Sequence, residues 1–193
     1  MTNVFTQRYS RQGLWSLFLM CAFPLHLWTI ILAFRDISWL TERTNAWDAV
    51  GVLSYAVVFA FVESVLLFLV IVLLGFLIPR SWTEDRRIGL LASLVLILSA
   101  WGMISQLYFL AGMSPAAWLV QLAAGNAHPL RVLYAIALLM VAPSFAIPAY
   151  LIMKSANAPQ LLHSLIDRLS LLTTMYLVFD VIGLGIVIIR NIQ

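Results

Sequence analysis

Residues 50–78 read VGVLSYAVVFAFVESVLLFLVIVLLGFLI, an apolar run with one charged side chain, Glu63. As an α-helix this run would be about 43 Å long at 1.5 Å per residue, whereas the hydrocarbon core of a bilayer is about 30 Å thick. The run is therefore long enough to cross a membrane, either tilted or with one end protruding. Asp48 offers an N-cap before it, and Pro79 ends it because proline cannot continue the helical hydrogen-bond ladder.

Four further apolar runs accompany this one, and together they predict an all-α integral membrane protein with about five transmembrane helices. The predicted spans, within a single domain covering 1–193, are 14–34, 50–78, 88–110, 130–153 and 169–189. Between the third and fourth spans, Ser114-Pro115 is a typical helix start and Gly125-Asn126 a typical stop. The segment between them is too short to span, so we expect a short interfacial helix there.

The composition excludes an ordinary soluble domain. The chain is 63% hydrophobic and 10% charged, against about 45–50% apolar and about 25% charged residues in soluble domains. Its net charge is +3, but the 11 Lys and Arg are scattered in ones and twos, which does not indicate a nucleic-acid partner. Lipid is therefore the expected partner of most of the surface.

The distribution of Lys and Arg predicts the orientation. With a cytoplasmic amino terminus, seven of them fall on the cytoplasmic side and four on the other side. Because cytoplasmic loops carry the excess of positive charge, this favours N-in and C-out. The seven are Arg8, Arg11, Arg80, Arg86, Arg87, Lys154 and Arg168, and the four are Arg35, Arg43, Arg131 and Arg190. We expect a multi-pass protein of the cell membrane, specifically a prokaryotic plasma membrane.

Two carboxylates lie where lipid is expected. Glu63 is near the middle of the second span and Asp180 near the middle of the fifth, so the two could meet at one depth. An ionisable group in hydrocarbon is costly and tends to face a partner or a cavity. Two acids sharing a dry site could bind a proton or a cation. Alternatively, each acid is hydrogen-bonded to a neighbouring helix as a structural link.

Three other polar residues are candidates for the same site. Gln106 in the third span could bond to either acid, and Tyr176 lies one turn before Asp180. His26 follows Pro24 in the first span. Because a proline frees a carbonyl of the preceding turn, the imidazole could bind that carbonyl or join the acids.

A predicted outer loop over 35–48 holds the densest polar cluster outside the spans. Its charges alternate in sign, which is typical of ion pairs at the headgroup level and also fits a docking site for a ligand or subunit. The candidates are Arg35, Asp36, Glu42, Arg43 and Asp48.

A stripe of small residues recurs every four positions on the second span, at Ala56, Ala60 and Ser64. Small residues let helices approach closely in membranes. The stripe predicts a packing face, for a second copy of the chain or for another membrane protein.

Enzyme motifs of the hydrolytic, phosphate-binding and haem-binding kinds are missing from the sequence. The three histidines are predicted at three different depths, so we expect neither a metal site nor a cofactor. We interpret the chain as a non-enzymatic structural or accessory membrane subunit. One alternative is a transporter or channel component with a proton or cation site at Glu63 and Asp180. Another is an enzyme acting on a lipid-type substrate at the outer interface.

Overall fold

The computed structural model describes residues 9–155 and 158–192, which form helices and short connections without any strand. Arg8, which contributes to the predicted orientation, lies outside these ranges. The helices are α1 (Arg11–Arg43), α2 (Ala46–Gly75), α3 (Glu84–Leu110), α4 (Ala117–Ala124), α5 (Pro129–Lys154) and α6 (Ala158–Ile192).

Five of these helices are long and apolar enough to cross a membrane. The prediction of an all-α chain with five candidate spans is therefore confirmed. The remaining helix, α4, has eight residues and lies between the third and fourth candidate spans, where a short helix was expected. It begins at Ala117 and not at the predicted start, Ser114-Pro115. Its location at the membrane interface and the N-in orientation of the chain remain predictions.

Most of the helices begin before or end after the predicted spans, but α2 ends at Gly75, three residues before the predicted end at 78. The predicted outer loop over 35–48 is wrong. Helix α1 continues to Arg43 and α2 begins at Ala46, so only Thr44 and Asn45 separate them. Residues 35–43 contain no proline or glycine, and nothing local interrupts the helix. The change in hydropathy near Arg35 marks the expected edge of the hydrocarbon, where a helix can continue into water.

The first turn of α2 also differs from the sequence-based expectation. Its N-cap is Asn45, whose Oδ1 accepts a hydrogen bond from the Asp48 backbone N–H at 2.8 Å. The Asn45 amide in turn donates to Asp48 Oδ2 at 2.7 Å. Asp48 thus lies inside the first turn, where a carboxylate interacts favourably with the amino-terminal end of the helix dipole.

Helix α1 is the centre of the bundle and contacts α2, α3 and α6. Its Leu17, Met20 and Cys21 are completely buried. Helix α6 also packs along α2, with Gly183 so close to α2 that a Cβ atom there would lie 3.3 Å from the Ser54 carbonyl oxygen. The three helices α1, α2 and α6 therefore form one tightly joined unit.

Helix α5 is the least enclosed of the candidate spans. It lies against α3, where Trp101 Nε1 donates to Ser144 Oγ at 3.0 Å, and it makes smaller contacts with α4 and α6. Ile152 is its one buried residue among those described. Most of its apolar side chains therefore face outward, as they do in a helix solvated by lipid.

Arg190 connects the carboxyl-terminal end of α6 to the first turn of α2. Its guanidinium donates to the Trp47 carbonyl oxygen at 2.6 Å and to Asp48 Oδ1 at 2.7 Å, and it lies 5.6 Å from the centre of the Trp47 ring. The side chain passes over Gly51, where a Cβ atom would come within 2.6 Å of the guanidinium. This contact fixes α6 to α2 at one end of the bundle.

We expect Arg190→Leu to lower the free energy of unfolding by about 1 kcal/mol, since the Arg190–Asp48 pair is partly exposed and such pairs contribute little. Reversible unfolding in mixed dodecylmaltoside and SDS micelles would measure the change. Arg190→Lys is the matched control, because it keeps the charge but not the planar fork that reaches two acceptors at once. Arg190→Lys should restore less than half of the stability that Arg190→Leu loses. If Arg190→Leu is as stable as the wild-type protein, the prediction is contradicted.

Candidate functional site

A buried histidine–aspartate pair joins α1 to α6. His26 Nε2 lies 2.9 Å from Asp180 Oδ1 and 3.1 Å from Oδ2, while His26 Nδ1 lies 2.8 Å from the Ala22 carbonyl oxygen. His26 is 2% exposed and Asp180 is 6% exposed, so this is a side-chain contact in the interior of the bundle. Pro24 has no N–H, so the Met20 carbonyl lacks its helical donor. His26 does not contact that carbonyl; it contacts the carbonyl of Ala22.

The geometry fixes the number of protons that the pair holds. A carbonyl oxygen can only accept, so His26 Nδ1 must carry a hydrogen and donate it to Ala22. The contact between Nε2 and the Asp180 carboxyl also needs a hydrogen between the two groups. That hydrogen belongs either to an imidazolium facing a carboxylate or to a carboxylic acid facing a neutral imidazole. In both forms the pair carries no net charge, which is the arrangement that a low-dielectric interior tolerates best.

Tyr176 completes this cluster on α6. Its ring is stacked on the His26 imidazole, with ring centres 6.0 Å apart and planes inclined by 16°. One turn earlier, the fully buried Thr173 donates its hydroxyl hydrogen to the Leu169 carbonyl at 2.8 Å. The Tyr176 hydroxyl, in contrast, makes no hydrogen bond with the residues that the structure describes.

A cavity of about 370 Å³ opens beside the pair, between α1, α2 and α6. His26 and Tyr176 lie at its inner end, and its walls are almost entirely apolar. Phe34, Phe179 and Ile182 line it and are 71%, 56% and 53% exposed. The cavity therefore opens sideways, toward the surface that lipid would cover.

Glu63 lies apart from this cluster. It is exposed on α2, where it lines a groove of about 560 Å³ between α1 and α2, together with Trp28, Phe59 and Asp36. Within the described residues its carboxylate makes no hydrogen bond or ion pair, whereas Asp180 bonds to His26. The structure thus does not form the shared carboxylate site that the sequence suggested.

Of the other three residues predicted for that site, two lie beside Asp180 and one lies elsewhere. His26 and Tyr176 join Asp180, as the sequence allowed. Gln106 is exposed on α3 and makes no hydrogen bond within the described ranges. Reasoning from the sequence missed Thr29 and Ser54, which line the cavity. Their hydroxyls bond to their own helices, at Leu25 and Val50, and a hydroxyl in an apolar helix is too common a feature to have pointed to them.

The small-residue stripe is used largely inside the chain. Ser64 is completely buried and Ala60 is 2% exposed, so both pack against neighbouring helices. Ala56 is half-buried and lines the α1–α2 groove near Glu63. A partner that uses this stripe would therefore contact Ala56 and not the whole stripe.

The predicted outer cluster is distributed along two helices. Arg35 and Asp36 form an exposed ion pair at 3.1 Å on α1, and the Arg43 guanidinium lies 5.1 Å from the centre of the Trp39 ring. Glu42 is exposed on the last turn of α1. Within the ranges that the structure describes, Asp48 is the one member with a hydrogen bond or ion pair to another spanning helix, through Arg190. The five residues therefore do not form a single site.

Chemically, the site at His26 can hold and share a proton, and it places the Tyr176 side chain in the wall of a cavity that opens to the outer surface of the bundle. No three His, Cys, Asp or Glu residues come together in a way that could hold a metal ion, as far as the chain is described. No protein-family model, curated protein or solved structure matches this chain.

Proposed function

We propose that this protein is a non-enzymatic accessory subunit of a membrane complex, in the plasma membrane of a prokaryotic cell with its amino terminus in the cytoplasm. The observation that carries the proposal is the carboxyl group of Glu63 at the middle of an apolar helix, which is exposed and has no partner among the residues that the structure describes. A second membrane protein binds along the α1–α2 groove and supplies the partner for that group.

The position of Glu63 supports a partner. It lies 17 residues after Ala46 and 12 residues before Gly75, or about 25 Å and about 18 Å from the ends of α2 at 1.5 Å per residue. An acidic side chain at the centre of a spanning helix costs about 2.5–3.5 kcal/mol on insertion-based scales. Such residues are found facing the bundle interior, a cavity or a partner, and Glu63 faces neither the interior nor the His26 cavity.

The distribution of cations in this chain favours a different protein over a second copy. Of the 11 Lys and Arg, only Arg131 falls inside a predicted span, and it is the second residue of that span. The imidazole of His26 is buried against Asp180. A second copy therefore has no basic side chain to place at the depth of Glu63. We infer that the partner helix carries Lys, Arg or His near its middle.

A photocrosslinking experiment tests the proposal. p-Benzoylphenylalanine placed at Phe59, which lines the groove and is 64% exposed, should crosslink to a single membrane protein in native membranes. Glu63→Gln should reduce that product at least tenfold, because it would leave the partner's cation without a counter-charge in a dry interface. The matched control places the crosslinker at Leu66, which is on the same helix, 58% exposed and outside the groove.

Two results would reject the accessory-subunit proposal. One is a pattern in which both positions crosslink only to lipid. The other is a protein product at Phe59 that Glu63→Gln leaves unchanged. A partner whose crosslinked span contains no basic residue would contradict the inferred pairing.

A further inference from the structure

We propose that the cavity between α1, α2 and α6 binds a lipid-soluble molecule with a flat ring and a carbonyl oxygen, a compound of the quinone class. The ring stacks at the Tyr176 and His26 end, and the carbonyl accepts the Tyr176 hydroxyl hydrogen. This site is separate from the Glu63 groove and does not depend on the accessory-subunit proposal.

The walls of the cavity determine how a ligand would enter. The residues that line it are mostly apolar, and three of the largest are more than half exposed on the outer surface of the bundle. A molecule dissolved in the bilayer reaches such a cavity laterally, whereas a charged molecule would have to lose its hydration first. A volume of about 370 Å³ lies within the usual range of small-molecule pockets, about 300–1,000 Å³.

The inner end of the cavity selects for a hydrogen-bond acceptor. Both nitrogens of His26 already have partners, and both carboxyl oxygens of Asp180 lie within 3.1 Å of Nε2. The Tyr176 hydroxyl has no such partner in the part of the chain that the structure describes. Tyrosine hydroxyls away from water usually find an acceptor, and a ligand carbonyl can supply it. The parallel rings of Tyr176 and His26 favour a ligand whose carbonyl is attached to a flat ring, because such a ring can pack against them.

Depth separates this ligand from ordinary bilayer lipids. Tyr176 lies 18 residues after Ala158 and 16 before Ile192, while His26 lies 15 residues after Arg11 and 17 before Arg43. The predicted spans 14–34 and 169–189 are shorter than these helices, but both residues also lie well inside them, His26 12 residues and Tyr176 7 residues after the start of its span. The ester carbonyls of bilayer lipids lie near the headgroups, about 15 Å from the midplane of a core about 30 Å thick. A carbonyl at the depth of Tyr176 must therefore belong to a molecule that is dissolved in the hydrocarbon core.

Two small probes test the site directly. Duroquinone (tetramethyl-1,4-benzoquinone) and durene (1,2,4,5-tetramethylbenzene) share a methylated six-membered ring, but only duroquinone has carbonyl groups. Saturable binding of each radiolabelled probe would be measured on proteoliposomes of the full chain, with protein-free liposomes as background. We expect duroquinone to bind about tenfold more tightly than durene, the difference that one hydrogen bond in a dry site can supply.

Variants show where the probes bind. Tyr176→Phe keeps the ring and removes the hydroxyl, so duroquinone affinity should fall about tenfold, to that of durene, while durene binding stays unchanged. Tyr134→Phe, on the outward face of α5 and 73% exposed, is the matched control and should change neither. Val57→Trp fills the cavity and should abolish the binding of both probes. Equal binding of the two probes to the wild-type protein, or an unchanged duroquinone affinity in Tyr176→Phe, would overturn the proposal.

Discussion

Replacing Asp180 with alanine is expected to lower the free energy of unfolding by about 2–3 kcal/mol. An ordinary hydrogen bond between helices in a membrane contributes about 1–2 kcal/mol. The expected loss is larger because the substitution also leaves a buried polar group without its partner. The stranded group is His26 Nε2, in a side chain that is 2% exposed. Reversible unfolding in mixed micelles of dodecylmaltoside and SDS would measure the loss.

Asparagine at position 180 is the matched control. Its amide can donate one hydrogen to Nε2 of a neutral imidazole whose Nδ1 hydrogen still bonds to Ala22, so Asp180→Asn should cost less than about 1 kcal/mol. The double variant His26→Leu with Asp180→Leu should be more stable than Asp180→Ala, because an apolar pair leaves no buried polar group unpaired. Equal stabilities of the alanine and asparagine variants would show that the contact does not link the helices.

Infrared spectroscopy of the same variants would identify the form of the pair. A protonated carboxyl has a carbonyl stretch that a carboxylate lacks, so a band lost in Asp180→Asn but kept in Glu63→Gln would assign the proton to Asp180. If no such band is lost, the pair is an imidazolium facing a carboxylate. Because Glu63 and Asp180 have different surroundings, removing either one should leave the signal of the other unchanged.

The sequence was sufficient to predict the helical class and the number of candidate spans, because both depend on long apolar runs. It was poorer at helix ends. Hydropathy falls near Arg35 and rises near Leu169, but α1 continues to Arg43 and α6 begins at Ala158. Helical hydrogen bonds do not depend on whether a side chain is apolar. A boundary read from hydropathy therefore indicates where hydrocarbon is expected, and a cap such as Asn45 indicates where a helix begins.

The candidate site shows a second limit of sequence reasoning. Ionisable residues in apolar runs pointed to His26, Glu63 and Asp180, but which of them meet depends on the rotation of each helix about its axis. The low charge content of these helices gives little indication of that rotation. Only the packing of α1 against α6 placed His26 on Asp180. The rotation of α2 about its own axis leaves Glu63 exposed in the groove between α1 and α2. Tyr176 shares a helical face with Asp180, which is why it could be predicted.

Gly183 offers the sharpest test of that packing, since the α2 backbone lies directly opposite it. A Cβ atom at Gly183 would lie 3.3 Å from the Ser54 carbonyl oxygen and 3.6 Å from the Ser54 Cα, whereas a Cβ at Gly185 would meet nothing within 4 Å. Backbone atoms cannot move aside as the end of a flexible side chain can. Gly183→Val is therefore expected to lower the free energy of unfolding by about 2 kcal/mol through overpacking.

Gly185→Val is the matched control for this prediction, because it makes the same substitution two residues later on the same helix. It should change the stability by no more than about 0.5 kcal/mol, as is usual for a position without close neighbours. Gly183→Ala should lie between the two, since the better helix propensity of alanine, worth about 1 kcal/mol, offsets part of the crowding. Equal losses in the two valine variants would mean that α6 does not approach α2 at Gly183. Gly183 and Ser54 both line the cavity beside Tyr176, so that result would also contradict the shape of the cavity.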